Sequence, residues 1–198
     1  MSQSQSQSQS QSQSQSQTPD SGPAAPLPAN LRTGVVVGNP KPASRTYQAA
    51  VRLAELLTGR APDLTIDLAE YGAGLLDWSD AATAGAVSDV IALDLLVVAS
   101  PTYKASYTGL LKLFLDRFQA DSLAGVVTIP LMLGAGPGHA MAPEVFLKPV
   151  LTELGALLPT RALYLLDSSY DDPAAYEPWL AAARAPVRAA LAANTRPS

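Results

Sequence analysis

The chain of 198 residues has no cysteine and a single histidine. Disulfide stapling, thiolate chemistry and a nitrogen-ligand metal centre are thereby excluded, and no metal site is expected. Charged residues make up only 15% of the chain, with a formal net charge of -4 and a pI near 4.9. Phosphate contacts to a nucleic acid need a basic face, so no such partner is expected and any anion site must be local. The longest apolar stretch, LDLLVVA from Leu93, falls well short of the roughly 18 residues that cross a bilayer. No basic segment followed by an apolar one opens the chain, so no secretory signal or membrane association is read and residence in the cytoplasm is expected.

What is present is a 47% hydrophobic chain, enough for one α/β core and short for two. Residues 2–17 alternate Ser and Gln, which bury too little surface to offset the entropy of ordering them. With the Pro-rich stretch that follows, residues 1–29 read as a disordered tail and tether, and residues 30–198 as the domain. Short β-branched or leucine-rich runs then alternate with stretches of helical period, the pattern of a parallel sheet covered on both faces. Strands are expected over Gly34–Val37, Leu64–Asp67, Asp94–Ala99, Val126–Leu133 and Ala162–Leu166. Helices are expected over Arg45–Thr58 with Gly59 as C-cap, Ser79–Leu93, Tyr107–Phe118, Pro143–Gly155 with a kink at Pro149, and Pro173–Ala193 with an interruption at Pro186. The expected fold is a three-layer, doubly wound, five-stranded parallel sheet of order 2-1-3-4-5, whose ligand crevice lies beyond the carboxyl ends of strands one and three.

Three loops at that end carry chemistry-bearing residues. The first strand runs into GNPKPASRT, where Gly38 permits a tight exit and Ser44, Arg45 and Thr46 open a helix. Free N–H groups, hydroxyls and a guanidinium there suit a phosphate, although Ser44 alone could be only an N-cap and Arg45 only a surface charge. The third strand runs into SPTYKASYTGLLK, where Ser100, Pro101, Thr102, Tyr103 and Lys104 would line a flat, electron-accepting ring, or else form a capped turn with a half-buried tyrosine. The fourth ends in LMLGAGPGHAMAP, where glycines at 134, 136 and 138 would let backbone approach a ligand closely. A dinucleotide fingerprint would need glycine where His139 stands, and no acid-base role is assigned to that lone histidine.

Rival chemistries fail on residue types. A serine hydrolase elbow needs glycines where Val98 and Thr102 flank Ser100. A phosphate-accepting receiver domain needs acidic residues where Gly38 and Asn39 stand, and no GxxxxGK run offers a P-loop.

Together the three loops resemble the NADPH-dependent FMN reductase family, which is flavodoxin-like, and more closely its branch that supplies reduced flavin to alkanesulfonate monooxygenases. GNPKPASRT is similar to that branch's phosphate loop at Gly38, Pro40, Ser44, Arg45 and Thr46, with Asn39 in place of the usual serine. SPTYKASYTGLLK nearly repeats the branch pattern, and HAMAPEVFLKPVLTELGA keeps its downstream elements. The resemblance, over about Leu31 to Leu166, implies an NAD(P)H-dependent flavin oxidoreductase with FMN as cofactor and NADPH or NADH as hydride donor. It implies that Ser44, Arg45 and Thr46 hold the FMN phosphate, that Pro101, Thr102, Tyr103 and Lys104 line the isoalloxazine, and that Gly134, Ala135 and Gly136 form the third flavin loop. Leu133 and Ala135 depart from the family's T-G-G there. It further implies a homodimer or homotetramer with Tyr107, in a distorted helix turn at the interface, as a flavin gate; a core or interface tyrosine is the competing view. No side chain need act as acid or base in hydride transfer, which accords with the lack of a catalytic dyad. Two alternatives stay open: an FMN-binding electron carrier or interaction module without NAD(P)H turnover, and a reductase of quinones or azo dyes.

Overall fold

The computed structural model describes Leu27 and residues 30–194. The expected tail and tether lie outside the described residues except for Leu27, which packs against the core. Five strands form one sheet: β1 (Thr33–Val37), β2 (Leu64–Asp67), β3 (Leu95–Pro101), β4 (Val127–Gly134) and β5 (Leu163–Leu166). All pair in parallel in the order β2-β1-β3-β4-β5, as the sequence pattern anticipates. The helices between them are α1 (Arg45–Thr58), α2 (Ala81–Ile91), α3 (Gly109–Leu115), α4 (Lys148–Glu153) and α5 (Glu177–Ala193). No helix among the described residues is long and apolar enough to cross a membrane.

The two-residue period of the strands builds two cores. Val35, Val37, Val97, Ala99, Leu131 and Leu133 face α1 and α5. Their neighbours Val36, Leu96, Val98 and Met132 face α2, α3 and α4. Because both faces are covered, the strands read as continuous apolar runs. Pro130 is the one awkward residue in this arrangement, since it sits in an interior strand without an N–H to donate. It costs no ladder bond. Thr128, two residues earlier and on the same side, donates its N–H away from β3 to Leu157 O, and β5 joins β4 only from Leu131 onward. The missing donor at Pro130 therefore faces the gap before β5 begins.

Side-chain caps fix the helix ends. Ser44 Oγ accepts from Tyr47 N at 3.2 Å, and Gly59, in the left-handed region at φ 77, closes α1 through its N–H to Glu55 O. Asp80 Oδ1 accepts from Thr83 N at 2.7 Å, so α2 starts at Ala81 and not at Ser79. At the far end of α3, Arg117 N and Phe118 N bond three residues back to Phe114 O and Leu115 O, tightening the turn that was expected to stay α-helical. Pro149 acts as the sequence suggests but one turn earlier: Pro143–Leu147 forms a π turn in which Lys148 N–H reaches Pro143 O. A proline ring crowds the carbonyl four residues back, here Val145, and widening the preceding turn relieves that contact. Pro186 does not interrupt α5. Both it and Ala182, whose carbonyl loses its partner, lie on the exposed side where water serves.

Candidate flavin site

Strand register sets the frame of the site. Val37 pairs with Ala99, Pro101 with Leu133 and Gly134 with Leu166, so the loops after β1, β3 and β4 leave from adjacent strand ends. Hydrogen bonds tie them together: Gly38 N donates to Ala99 O at 2.8 Å, and Thr102 N to Leu133 O at 2.7 Å. Thr108 Oγ1, the N-cap of α3, donates to Gly38 O at 2.5 Å and accepts from Leu111 N. Gly38 is required by this approach, because a Cβ there would lie 2.4 Å from Leu111 Cβ. The residues that sequence reasoning singled out thus share one end of the sheet.

The first loop offers backbone more than side chains. Ala43 N donates to the buried Asp67 carboxylate, and Ala43 itself takes the left-handed φ of 49. Asn39 braces the loop at both ends, donating through Nδ2 to Thr46 Oγ1 at 3.1 Å and accepting at Oδ1 from Lys41 N. Ser44 and Thr46 are buried and their hydroxyl oxygens accept from Tyr47 N and Asn39. Among the described residues, the N–H groups of Ser44, Arg45 and Thr46 have no protein acceptor. Three adjacent free donors at a helix N-terminus suit a phosphate. Arg45 is exposed beside them, its guanidinium carbon 5.8 Å from the Tyr170 ring centre.

The second loop is a two-residue hairpin turn. Tyr103 and Ser106 exchange backbone hydrogen bonds, N to O at 2.8 and 3.1 Å, while Lys104 and Ala105 between them take φ of 51 and 69. That is the type I′ geometry normally given to Asn-Gly, and side chains with a Cβ occupy it at a cost of about 1 kcal/mol or more each. The turn leaves Tyr103, 53% exposed, and Lys104 open to solvent. Ser100 does not join them. Its Oγ donates to Pro101 O and accepts from Thr108 N, so the buried hydroxyl is engaged within the protein. Tyr107 differs from expectation. It lies outside any helix, α3 begins only at Gly109 because the extended Thr108 caps it, and Tyr107 packs half-buried against the core. The distorted helix turn lies instead at Pro143–Leu147.

In the third loop only one of the three glycines is sterically required. A Cβ on Gly134 would stand 2.1 Å from Tyr164 Oη and 3.3 Å from Thr102 Oγ1, whereas Gly136 and Gly138 face open space with ordinary φ. Leu133 points into the core, and Ala135 and His139 are exposed. Tyr164, on β5, was not legible as a site residue. Its hydroxyl donates to Gly136 O at 2.6 Å and walls the loop from behind. Burial pushes this phenol up from its ordinary pKa, so it stays a neutral donor. Thr102 Oγ1 is buried in the same corner, near the phenol but without a hydrogen-bond partner. Thr108 could have been found from its place before an apolar helical run; Asp67 and Tyr164 act across the sheet and left no local signal.

A family model described as NADPH-dependent FMN reductase matches residues 31–171, a span that contains all three loops. The chain belongs to that family. As an FMN reductase it is 31% identical over 156 residues to the NADH-dependent FMN reductase SfnF of Pseudomonas putida, covering 75% of this chain and 84% of that protein. It is 40% identical to FMN reductase (NADPH) of Escherichia coli (strain K12) over 79 residues, 40% of this chain and 41% of that one. Among solved structures, the apo form of NADH:FMN oxidoreductase (EMOB) superimposes with a TM-score of 0.67 at 29% identity, covering 83% of this chain and 90% of that chain. Membership places the chain among NAD(P)H-dependent flavin oxidoreductases of flavodoxin-like fold.

Proposed function

We propose that the chain reduces FMN held in the crevice between the three loops, drawing hydride from NADPH or NADH. The observation that carries this is the unsatisfied donor set at the start of α1: the N–H groups of Ser44, Arg45 and Thr46, with the Arg45 guanidinium beside them, match a phosphate. Tyr103 provides exposed aromatic surface and Lys104 a positive charge beside the half-buried Thr102, with Pro101 buried at the end of β3. Gly134, Ala135 and Gly136 bring backbone to the opposite rim.

When bound, FMN supplies the hydride-accepting ring. The protein's residues orient it: the α1 terminus fixes one end, the Tyr103 turn covers one side, and the Tyr164 to Gly136 bond holds the third loop in place. No acid or base is required of the chain. The exposed Tyr103 turn leaves a face for the nicotinamide and an exit for reduced flavin, with Tyr107 at its base as a gate. This openness accords with delivery of reduced FMN to a separate monooxygenase in the cytoplasm. Self-association into a homodimer or homotetramer is proposed through the face carrying Leu113, Met141, Val145 and Phe146, large apolar side chains left exposed on α3 and on the turn leading into α4.

The test is NAD(P)H oxidation followed at the nicotinamide absorbance band, with and without added FMN, for the wild type and Arg45→Ala. Turnover that depends on FMN, with the FMN requirement raised about tenfold in the variant, is expected for one exposed charge-assisted contact. An unchanged FMN dependence in Arg45→Ala would remove the phosphate-loop assignment.

A further inference from the structure

The free N–H groups at the start of α1 point outward only because the residue before them is turned the unusual way. No glycine stands between Gly38 and α1. Ala43, which immediately precedes the N-cap Ser44, takes a left-handed φ of 49 although it carries a Cβ. Such a conformation is costly for an L residue and persists only where its surroundings hold it. The group that holds it stands on the neighbouring strand. Val37 pairs with Asp67, so the Asp67 carboxylate is level with the last residue of β1, where the phosphate loop departs. Its Oδ2 accepts from Ala43 N at 2.9 Å, and its Oδ1 accepts from Ala69 N at 3.2 Å.

We propose that Asp67 is a positioning residue for the flavin phosphate: it holds Ala43 left-handed and thereby aims the N–H groups of Ser44, Arg45 and Thr46. The inference rests on the phosphate-loop reading above. Asp67 is only 5% exposed, and none of the ion pairs among the described residues includes it. A buried carboxylate without a cation depends on its N–H donors, and Asp67 has one from each of the two segments it joins.

The carboxylate acts through the backbone and not on the ligand, since its own charge would repel a phosphate. The peptide that leaves Ala43 carries the Ser44 N–H, the first of the three free donors, and Ser44 then caps α1 through Tyr47 N. Asn39 fixes the same loop from its other side, through Lys41 N and Thr46 Oγ1. Held from both sides, the donors meet an anion without rearranging. Without Asp67, the left-handed cost at Ala43 has nothing to offset it, the residue relaxes to negative φ and the donors turn away.

The experiment titrates the full-length protein with FMN and with riboflavin, which has the same ring and no phosphate, following flavin fluorescence. Asp67→Asn keeps the volume and one acceptor but loses the charge and sets an amide NH2 against the second donor. It should weaken FMN about tenfold and leave riboflavin within twofold. Adding Ala43→Gly, which reaches a positive φ at no steric cost, should bring FMN back to within about threefold of the wild type. Equal losses for the two flavins, no loss for FMN, or no recovery on adding Ala43→Gly would each overturn the positioning role. If Asp67→Asn does not fold by circular dichroism, Ala43→Pro replaces it, leaving the carboxylate in place while removing the N–H and forbidding the positive φ. A loss confined to FMN is again expected, and an equal loss for both flavins would overturn the proposal. Arg45→Ala separates this inference from the reading beneath it. Weakened FMN in Arg45→Ala beside unchanged FMN in Asp67→Asn would refute Asp67 alone, whereas no effect of Arg45→Ala would refute the phosphate loop and the role of Asp67 with it.

Discussion

Replacement of Gly134 by alanine tests how tightly the third loop is walled. The added Cβ would fall 2.1 Å from Tyr164 Oη and 3.0 Å from Tyr164 Cζ. The ring must therefore swing away or β4 must shift. Swinging the ring sacrifices the 2.6 Å bond from Tyr164 to Gly136 O, worth about 1 kcal/mol. Forcing a methyl into packed surroundings typically costs a further 1–3 kcal/mol or so. Gly134→Ala should thus destabilise the protein by about 2–4 kcal/mol, read from urea unfolding followed by circular dichroism, with the slope unchanged. Tyr164→Phe alone should cost about 1 kcal/mol for the lost hydrogen bond. The double variant should be more stable than the sum of the two by about 1–2 kcal/mol, because the atom in closest conflict is gone and the bond is counted once. A Gly134→Ala variant within about 0.5 kcal/mol of wild type, or strict additivity in the double variant, would refute Tyr164 as the wall of this loop.

Other parts of the site make equally direct predictions. Ala105→Gly relieves a left-handed residue in the Tyr103 turn and should raise stability by roughly 1 kcal/mol; a lower urea midpoint would contradict the strained-turn reading. Thr108→Ala removes both the α3 cap and the bond to Gly38 O and should cost about 2 kcal/mol, with Thr108→Ser restoring most of it. For Glu144, burial alone would push the carboxyl up, but the Lys148 ammonium and the Ala162 N–H outweigh it and hold the group below its usual range. A depressed folded pKa gives stability that is present above the ordinary glutamate value near 4.3 and is lost as the pH falls through the folded one. Glu144→Gln should therefore unfold at a lower temperature than wild type at pH 7, and the gap should close as the pH falls toward 3; a gap independent of pH would contradict the assignment.

Elements whose causes are local were legible in the sequence. Strand β2 and helix α1 match their expected bounds, since a short β-favouring run and the Ser44 and Gly59 caps are written within a few residues. The order of the sheet followed from strands alternating with helical stretches. What sequence could not supply was steric and reciprocal. Ser100 reads as a free hydroxyl until Thr108 N donates to its oxygen. Gly136 looks like Gly134 until Tyr164, thirty residues downstream, shows that only Gly134 has a neighbour behind it. Tyr107 was placed in a helix because the apolar period runs back to it, and the bond from Thr108 to Gly38 O decides otherwise. Asn39, visible only as a departure, proves to be the brace of the phosphate loop through partners on both sides.

Amide hydrogen exchange with and without FMN tests the convergence of the three loops most directly, because it reads their backbones separately in one experiment. Slower exchange on FMN addition is expected together at Ser44–Thr46, Thr102–Lys104 and Gly134–Gly136, with the N–H groups of Ser44, Arg45 and Thr46 gaining the acceptor they lack in the protein alone. Protection confined to a single loop, or no change at any of them, would contradict the shared crevice.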